Sequence, residues 1–248
     1  MEITSVNNNL VKEIVKLQQK KYRTQSGKFL LEGYKAIKEA FDCGIEIENI
    51  FVEKNKINDY NFAKNIVIET TESVLKKLST TDSAPSAVAV GFQKKYDKNS
   101  LKNAKKVVLL EDIKDLGNLG TIIRSSVAFG ADAIVLYGES VDIYNPKCVR
   151  ASVGNLWKLP IIHIQNIEDL NEIFEGFEKI ATLPRSNNML KTFTPTLPVV
   201  VMFGSEANGL SKDLINFSTT SVKIEMAKTV ESLNLATSVS VILYELFV

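Results

Sequence analysis

Apolar and polar positions switch between two periods along this chain, and the switch points delimit its elements. Leu10, Ile14 and Leu17 recur at helical spacing with Lys12, Lys16 and Lys20 on another face, which predicts an amphipathic first helix. KFLLEG reads as a strand entering a turn at Gly33, and 34–43 as a helix stopped by Gly44. IENIFVEK and NIVIETT follow as strands, 72–78 as a short helix and SAVAVGF as a closing strand. The stretch KKYDKNSLKNAKK (94–106) is polar, carries no apolar period and reads as a linker. Beyond it VVLLED (107–112) is a buried strand, 115–120 a glycine-bearing turn, 121–129 a helix and ADAIVLYG the next strand. Asn145-Pro146 has the form of an N-cap followed by proline at the first helical position, opening a helix through Val153. LPIIHI, a helix near 168–177, KIATL and the run 199–203 continue the alternation. A loop at 204–209, a short apolar run at 222–224, a polar turn at 231–234 and a final apolar helix complete the chain.

This order predicts two α/β modules: residues 1–95, a linker at 96–106, and a larger body at 107–248. In the body, strands alternating with helices imply a parallel sheet covered on both faces, with ligand sites beyond the carboxyl ends of its strands. With 45% hydrophobic and 24% charged residues the composition is that of a soluble globular protein. No apolar run approaches the roughly 20 residues that span a bilayer. The N-terminus lacks a signal-peptide pattern. Cys43 and Cys148 are isolated, so neither a disulfide framework nor a zinc site is expected, and a cytoplasmic location fits.

The net charge is only +1, but it is unevenly spread. Residues 1–106 carry 19 Lys and Arg against 13 Asp and Glu, whereas the remainder carries 11 against 16. A basic front half on a mildly acidic body suits a polyanion-binding module, or equally a solvated lysine-rich surface. Lys16, Lys20, Lys21, Arg23 and Lys28 lie around Tyr22, a mixture of cations and an aromatic ring that suits RNA.

The single histidine, His163, lies in the apolar run IIHI and reads as structural. That reading removes Ser-His-Asp and Cys-His nucleophiles and multi-histidine metal sites. The turn after the first strand of the body lacks the G-x-G-x-x-G spacing, and no Walker pattern occurs, which argues against NAD(P) and ATP. Three polar clusters remain: Asn118 with Arg124, Glu206 in the glycine loop, and Ser232 with Asn234 before the last helix. Each has an ordinary alternative as a cap or a surface residue, yet all three fall at strand-to-helix connections on one sheet edge.

Together the stretches NLGTIIRSSVAFGADAIVL with NPKCVRASVGNLWKLP, then VVMFGSEANGLS, then IEMAKTVESLNLATSVSVILYEL resemble the three signature motifs of the SpoU (TrmH) family. Its members are RNA 2′-O-ribose methyltransferases of the SPOUT superfamily. The motifs stand in the family's order across 107–248, and the front module is similar to the L30e-like substrate-binding domain of many members. The resemblance implies a trefoil-knotted α/β domain, a homodimer with each site near the interface, and S-adenosylmethionine as cofactor. It places the cofactor against Thr182, Leu183, Gly204, Ile224, Met226 and Leu233. It implies a catalytic set of Arg124, Asn118, Glu206, Ser232 and Asn234, and calls for neither metal nor membrane. The family's proposed base is the motif-one arginine, Arg124 here; a guanidinium with a pKa above about 12 serves better as a cation.

Two departures from the pattern stand out. The third motif reads S-L-N-L-A, so Ala236 has no hydroxyl where the family often carries one, and Pro85 is followed by Ser86-Ala87 rather than Q-G. Both bear on specificity more than on activity. The favoured substrate is a single nucleotide of 23S ribosomal RNA, guanosine before other bases. The competing readings are a tRNA substrate, a non-catalytic RNA-binding or ribosome-assembly factor on the same fold, and an unrelated nucleotide-binding α/β enzyme.

Overall fold

The computed structural model describes residues 1–248. In chain order the front half holds β1 (Glu2–Ile3), α1 (Asn9–Lys16), α2 (Lys20–Ser26), β2 (Lys28–Glu32), α3 (Tyr34–Asp42) and β3 (Ile47–Glu53). A kinked 3-10 segment (Lys54–Ile66), β4 (Val67–Thr70), α4 (Glu72–Leu78) and β5 (Ala87–Phe92) follow. The rear half holds β6 (Lys106–Glu111), α5 (Leu116–Ala128), β7 (Ala133–Tyr137), α6 (Pro146–Ala151), β8 (Ile161–Ile164) and α7 (Ile167–Ile173). It closes with β9 (Glu178–Thr182), β10 (Val199–Phe203), α8 (Lys212–Phe217), β11 (Thr220–Val222) and α9 (Leu235–Phe247).

Contacts divide the chain into two units, Met1–Lys94 with Asp142–Trp157, and Lys95–Val141 with Lys158–Val248. The first unit carries a five-stranded mixed sheet in the order β1-β4-β3-β5-β2. The Asn8 side chain caps α1 through the Leu10 N–H, and Gly27 (φ 66°) ends α2 in the left-handed region that a residue with a Cβ avoids. Val11, Ile14 and Leu17 of the first helical face are buried with Leu30, Phe51, Val88 and Val90 of the sheet. The second unit carries a six-stranded, all-parallel sheet in the order β11-β9-β10-β6-β7-β8. From β6 the chain steps outward to β7 and β8, then returns to the far side of β6. Strand order therefore reverses between β6 and β10, where open α/β sheets leave a crevice. Val107, Leu109, Val135, Val200 and Met202 form the centre of this unit's core.

Two boundaries differ from the sequence expectation. The stretch read as a free linker docks on the second unit: Leu101 is buried in its core, and Lys98 pairs with Asp169 at 2.5 Å and Glu172 at 3.0 Å. Tyr96, Leu101 and Ala104, which all pack on that core, are spaced five and three apart among lysines and leave no period to detect. Residues 142–157, expected within the body, belong with the first unit. There Phe29 packs on Tyr144 (centroids 4.8 Å) and Trp157 (5.8 Å), and Asp142 and Arg150 pair with Arg23 and Glu32. A local pattern shows that a helix has an apolar face, not which sheet will cover it. The glycine-bearing turn at 115–120 is in fact the first turn of α5, because the Asp115 carboxylate caps the Asn118 N–H at 2.7 Å.

Candidate active site

The segments that follow β6, β9, β10 and β11 converge with the start of α9 at the carboxyl edge of the parallel sheet. Side chains pin them to each other. The Thr182 hydroxyl donates to the Met202 carbonyl at 2.8 Å, and the Leu183 N–H donates to Val222 O at 3.0 Å, so the ends of β9, β10 and β11 hold one register. The loop after β10 folds back on itself: Gly209 N–H donates to Ser205 O at 2.9 Å, and Asn208 N–H to Ser205 Oγ at 3.2 Å. A Cβ on Gly204 would stand 1.9 Å from the Gly209 carbonyl carbon and 2.1 Å from Leu210 N, both rigid backbone, so only glycine fits. The close approach at Gly204 is therefore one within the loop itself. Glu111, buried at the end of β6, anchors the loop's far end by accepting the Ser211 N–H at 2.7 Å.

Three of the expected polar residues form a relay. Asn118 Nδ2 donates to Glu206 Oε1 at 2.8 Å, Asn234 Nδ2 donates to Asn118 Oδ1 at 3.1 Å, and Asn234 Oδ1 accepts the Thr237 N–H at 3.2 Å, capping α9. The carboxylate fixes the polarity of the whole chain. A carboxylate only accepts, so Asn118 must turn its amide nitrogen toward Glu206 and its oxygen toward Asn234. The loop after β10 is thereby tied to the starts of both α5 and α9.

Two cavities meet at this relay. One, of about 480 Å³, is lined by all six residues expected to hold the cofactor, Thr182, Leu183, Gly204, Ile224, Met226 and Leu233, together with Phe203, Ser232 and Ile242. Its size and its mix of apolar walls with backbone groups are those of a small-molecule site. The other is polar, lined by Asp112, Lys114, Asp115, Asn118, Asn208 and Asn234. Ser205, Glu206 and Asn234 border both.

Arg124 stands apart. Six residues beyond Asn118 on α5, it projects about 120° round the helix from it. It is exposed and lines neither cavity. Neighbouring α5 and α9 are linked by Ser125 Oγ and Ser240 Oγ at 2.7 Å, and Val241 and Tyr244 lie exposed on α9.

Among the residues expected to contact RNA, Arg23 is a correction. It is 1% exposed; its Nε and Nη2 donate to Asp142 Oδ2 at 2.8 and 2.6 Å, and its Nη1 donates to the carbonyls of Leu17 and Gln18. Its donors are committed inside the fold, so it offers RNA nothing. Lys28 pairs with Glu48 and Lys16 with Glu13, both at 2.6 Å, while Lys20 and Lys21 are exposed. Sequence reasoning missed Asp112, Lys114, Ser205 and Asn208. Asp115 carried a usable signal as an aspartate just before a helix, but Asp112, held at φ 50° with its Oδ1 accepting the Glu139 N–H, carried none.

Residues 105–244 match the model of the SpoU rRNA Methylase family, and residues 8–89 match an MRM3-like substrate binding domain. A tRNA/rRNA methyltransferase of Synechocystis, itself uncharacterized, is 34% identical over 98% of this chain and 92% of its own length. The 23S rRNA (guanosine(2553)-2′-O)-methyltransferase RlmP of Bacillus subtilis is 26% identical over 99% of this chain and 98% of its own. The AdoMet-bound rRNA methyltransferase of Sinorhizobium meliloti superposes with a TM-score of 0.89 at 30% identity, covering 99% of this chain and 96% of that one. AviRb of Streptomyces viridochromogenes, solved in complex with AdoMet, gives a TM-score of 0.86 at 25% identity over 96% and 97% of the two chains. The match over 105–244, on the unit that carries the all-parallel sheet, places this chain in the SpoU rRNA methylase family.

Proposed function

We propose that this protein transfers a methyl group from S-adenosylmethionine to a ribose 2′-oxygen of structured RNA, with a guanosine of 23S ribosomal RNA as the favoured target. The observation that carries the reading is the relay of Asn234, Asn118 and Glu206 at the junction of a largely apolar cavity and a polar one. A cofactor and a nucleotide bound in the two cavities would meet there. The cofactor cavity fits its occupant: Leu183, Ile224, Leu233 and Ile242 give an adenosine apolar walls, and the carboxylates of Glu206 and Glu231 on its lining suit a cationic ligand. S-adenosylmethionine, when bound, supplies an activated methyl on a sulfonium leaving group.

The chain's own work is then alignment and charge. Glu206, Asn118 and Asn234 hold their polar atoms before substrate arrives, so little reorganisation is needed at the moment of transfer. Ser232, on the cofactor cavity's lining, would position the ribose. Arg124, which lines neither cavity of its own chain, would act from a paired copy as a cation, gripping an RNA phosphate and stabilising charge as the 2′-oxygen loses its proton to solvent water. The exposed apolar residues Val241 and Tyr244 beside α5 support pairing of two copies across the α5–α9 face, which also carries Arg124. A trefoil knot in the second unit belongs to the same reading. So does a cytoplasmic location; no helix is long and apolar enough to cross a membrane.

Labelled S-adenosylmethionine and unmodified total RNA test the proposal, with Arg124→Ala as the control. Label should enter large ribosomal RNA at one alkali-resistant position, and kcat should fall about 10²–10³-fold in the variant. Cofactor binding without transfer to any RNA would overturn the assignment of substrate.

A further inference from the structure

The 3-10 segment of the first unit is irregular for a reason visible in its side chains. Its backbone leaves helical geometry at Tyr60 and again at Ala63, which turns Tyr60 inward to 1% exposure and leaves Phe62 between them on the surface side. Phe62 meets Phe41 of α3 at 4.8 Å between centroids and Tyr34 at 6.4 Å, edge-on. Tyr34 is 43% and Phe41 38% exposed, a cluster of aromatic surface that folding has not covered. Beside it lies a shallow depression of about 360 Å³ lined by Phe41, Phe62, Asn61, Lys64, Asn65 and Ile66. Lys38 Nζ stands 5.3 Å over the Phe62 ring and donates to the two carboxylate oxygens of the exposed Asp42 at 2.5 and 2.6 Å, and Lys64 is exposed on the rim.

We propose that this depression binds one unpaired nucleotide of the RNA substrate, with its base stacked on the exposed Phe41 ring of the Phe41–Phe62 pair. The inference rests on the reading of the protein as an RNA methyltransferase and adds a contact point on its first unit. The ring separation decides the mode. At 4.8 Å and a 60° tilt the two phenyl rings touch, leaving no slot between them for a base, so stacking occurs on their outer face. The exposed carboxamides of Asn61 and Asn65 offer donors and acceptors to a base edge. Lys38 and Lys64 supply the cations for the adjoining phosphates, and an aromatic face flanked by lysines is the recurring chemistry of single-stranded nucleic-acid binding. A helical duplex hides its base faces, so the site selects a loop or bulge.

Three RNAs test this with the full chain: an oligouridine 12-mer, a 12-base-pair RNA duplex and an unmodified 23S rRNA transcript. Phe41→Ala should weaken oligouridine binding about tenfold while sparing the duplex. Lys64→Glu, an exposed change that folding tolerates, should weaken it comparably. Ultraviolet crosslinks should map to the peptides carrying Phe41 or Phe62. Binding of oligouridine by both variants at wild-type affinity, or crosslinks confined to other elements, would overturn the site. If the wild type methylates the transcript and both variants match its KM, this inference fails and the enzyme assignment stands. If the wild type neither binds nor methylates any of the three RNAs, both fall together.

Discussion

Two clusters of polar side chains look alike in the sequence and behave oppositely in the structure. In the first unit, Arg23 with Asp142 and Arg150 with Glu32 are drawn into the fold. Arg23 is 1% exposed, and Glu32 also accepts from Ser79, Thr80 and its backbone N–H. In the second unit, Asn118, Glu206 and Asn234 bond to one another but stay open to two cavities. Arg23 and Glu32 have spent their hydrogen-bonding capacity inside the fold, whereas the second cluster stays accessible at the two cavities, with Glu206 and Asn234 bordering both. Burial and satisfaction, not residue type, separate a cluster that only holds the fold from one that can still meet a ligand.

The sharpest way to break that contrast is to cut each cluster. Arg23→Ala leaves the largely buried Asp142 carboxylate without its cation and strands the carbonyls of Leu17 and Gln18, so it should cost about 3 kcal/mol in urea unfolding. Well below the unfolding midpoint, its RNA affinity should stay within about twofold of wild type, since the guanidinium contacts no solvent. A large loss of RNA affinity in a variant of wild-type stability would return Arg23 to the binding surface.

Asn118→Ala should do the reverse. It removes the link between the loop after β10 and α9, and misplacing aligned groups by about 1 Å costs on the order of 10²-fold in kcat. The urea midpoint should hardly move, because the relay lies at an open edge and buries little. Asn118→Asp should be worse than alanine, since a second carboxylate 2.8 Å from Glu206 replaces attraction by repulsion. An unchanged kcat in both variants would show that the relay caps helices and does nothing else.

The order of elements and the parallel sheet of the body could be read from periodicity alone, as could the caps at Asn145 and Asn234. So could the cluster of polar residues on one edge, because strand-to-helix connections fall there by topology. Two kinds of information were missing. Arg23 looked like its lysine neighbours because its partner, Asp142, lies 119 residues away and nothing local marks the pairing. Asp112 and Ser205 were invisible because backbone conformation, a positive φ at one and a closed loop at the other, brings them to the cavity. Arg124 was grouped with Asn118 from its place near the start of α5, but the helical period that predicts α5 also turns it away from Asn118.

The smallest expected effect tests the interior of the first unit through pH. Burial, with the nearby Asp142 charge adding to it, pushes the Cys148 thiol from 9.0 up to about 12. Burial likewise raises the Tyr60 phenol from 10.0 to about 12. Both groups hold their protons longer when folded than when unfolded. Above pH 9 the unfolded chain therefore releases the Cys148 proton first, and stability falls as pH rises, by up to about 1.4 kcal/mol per pH unit for this group until the folded thiol itself ionises. Tyr60 adds a similar loss that begins one unit higher. Cys148→Ala should lose a constant amount to the small cavity it leaves, and it should lose the Cys148 share of the alkaline slope as well. Urea titrations of both proteins at pH 8, 9.5 and 10.5 isolate that share as a difference, free of the lysines and tyrosines they have in common. Parallel pH profiles would mean that water reaches Cys148 on the unfolding timescale, and the contrast between a closed first-unit cluster and an open second-unit one would weaken accordingly.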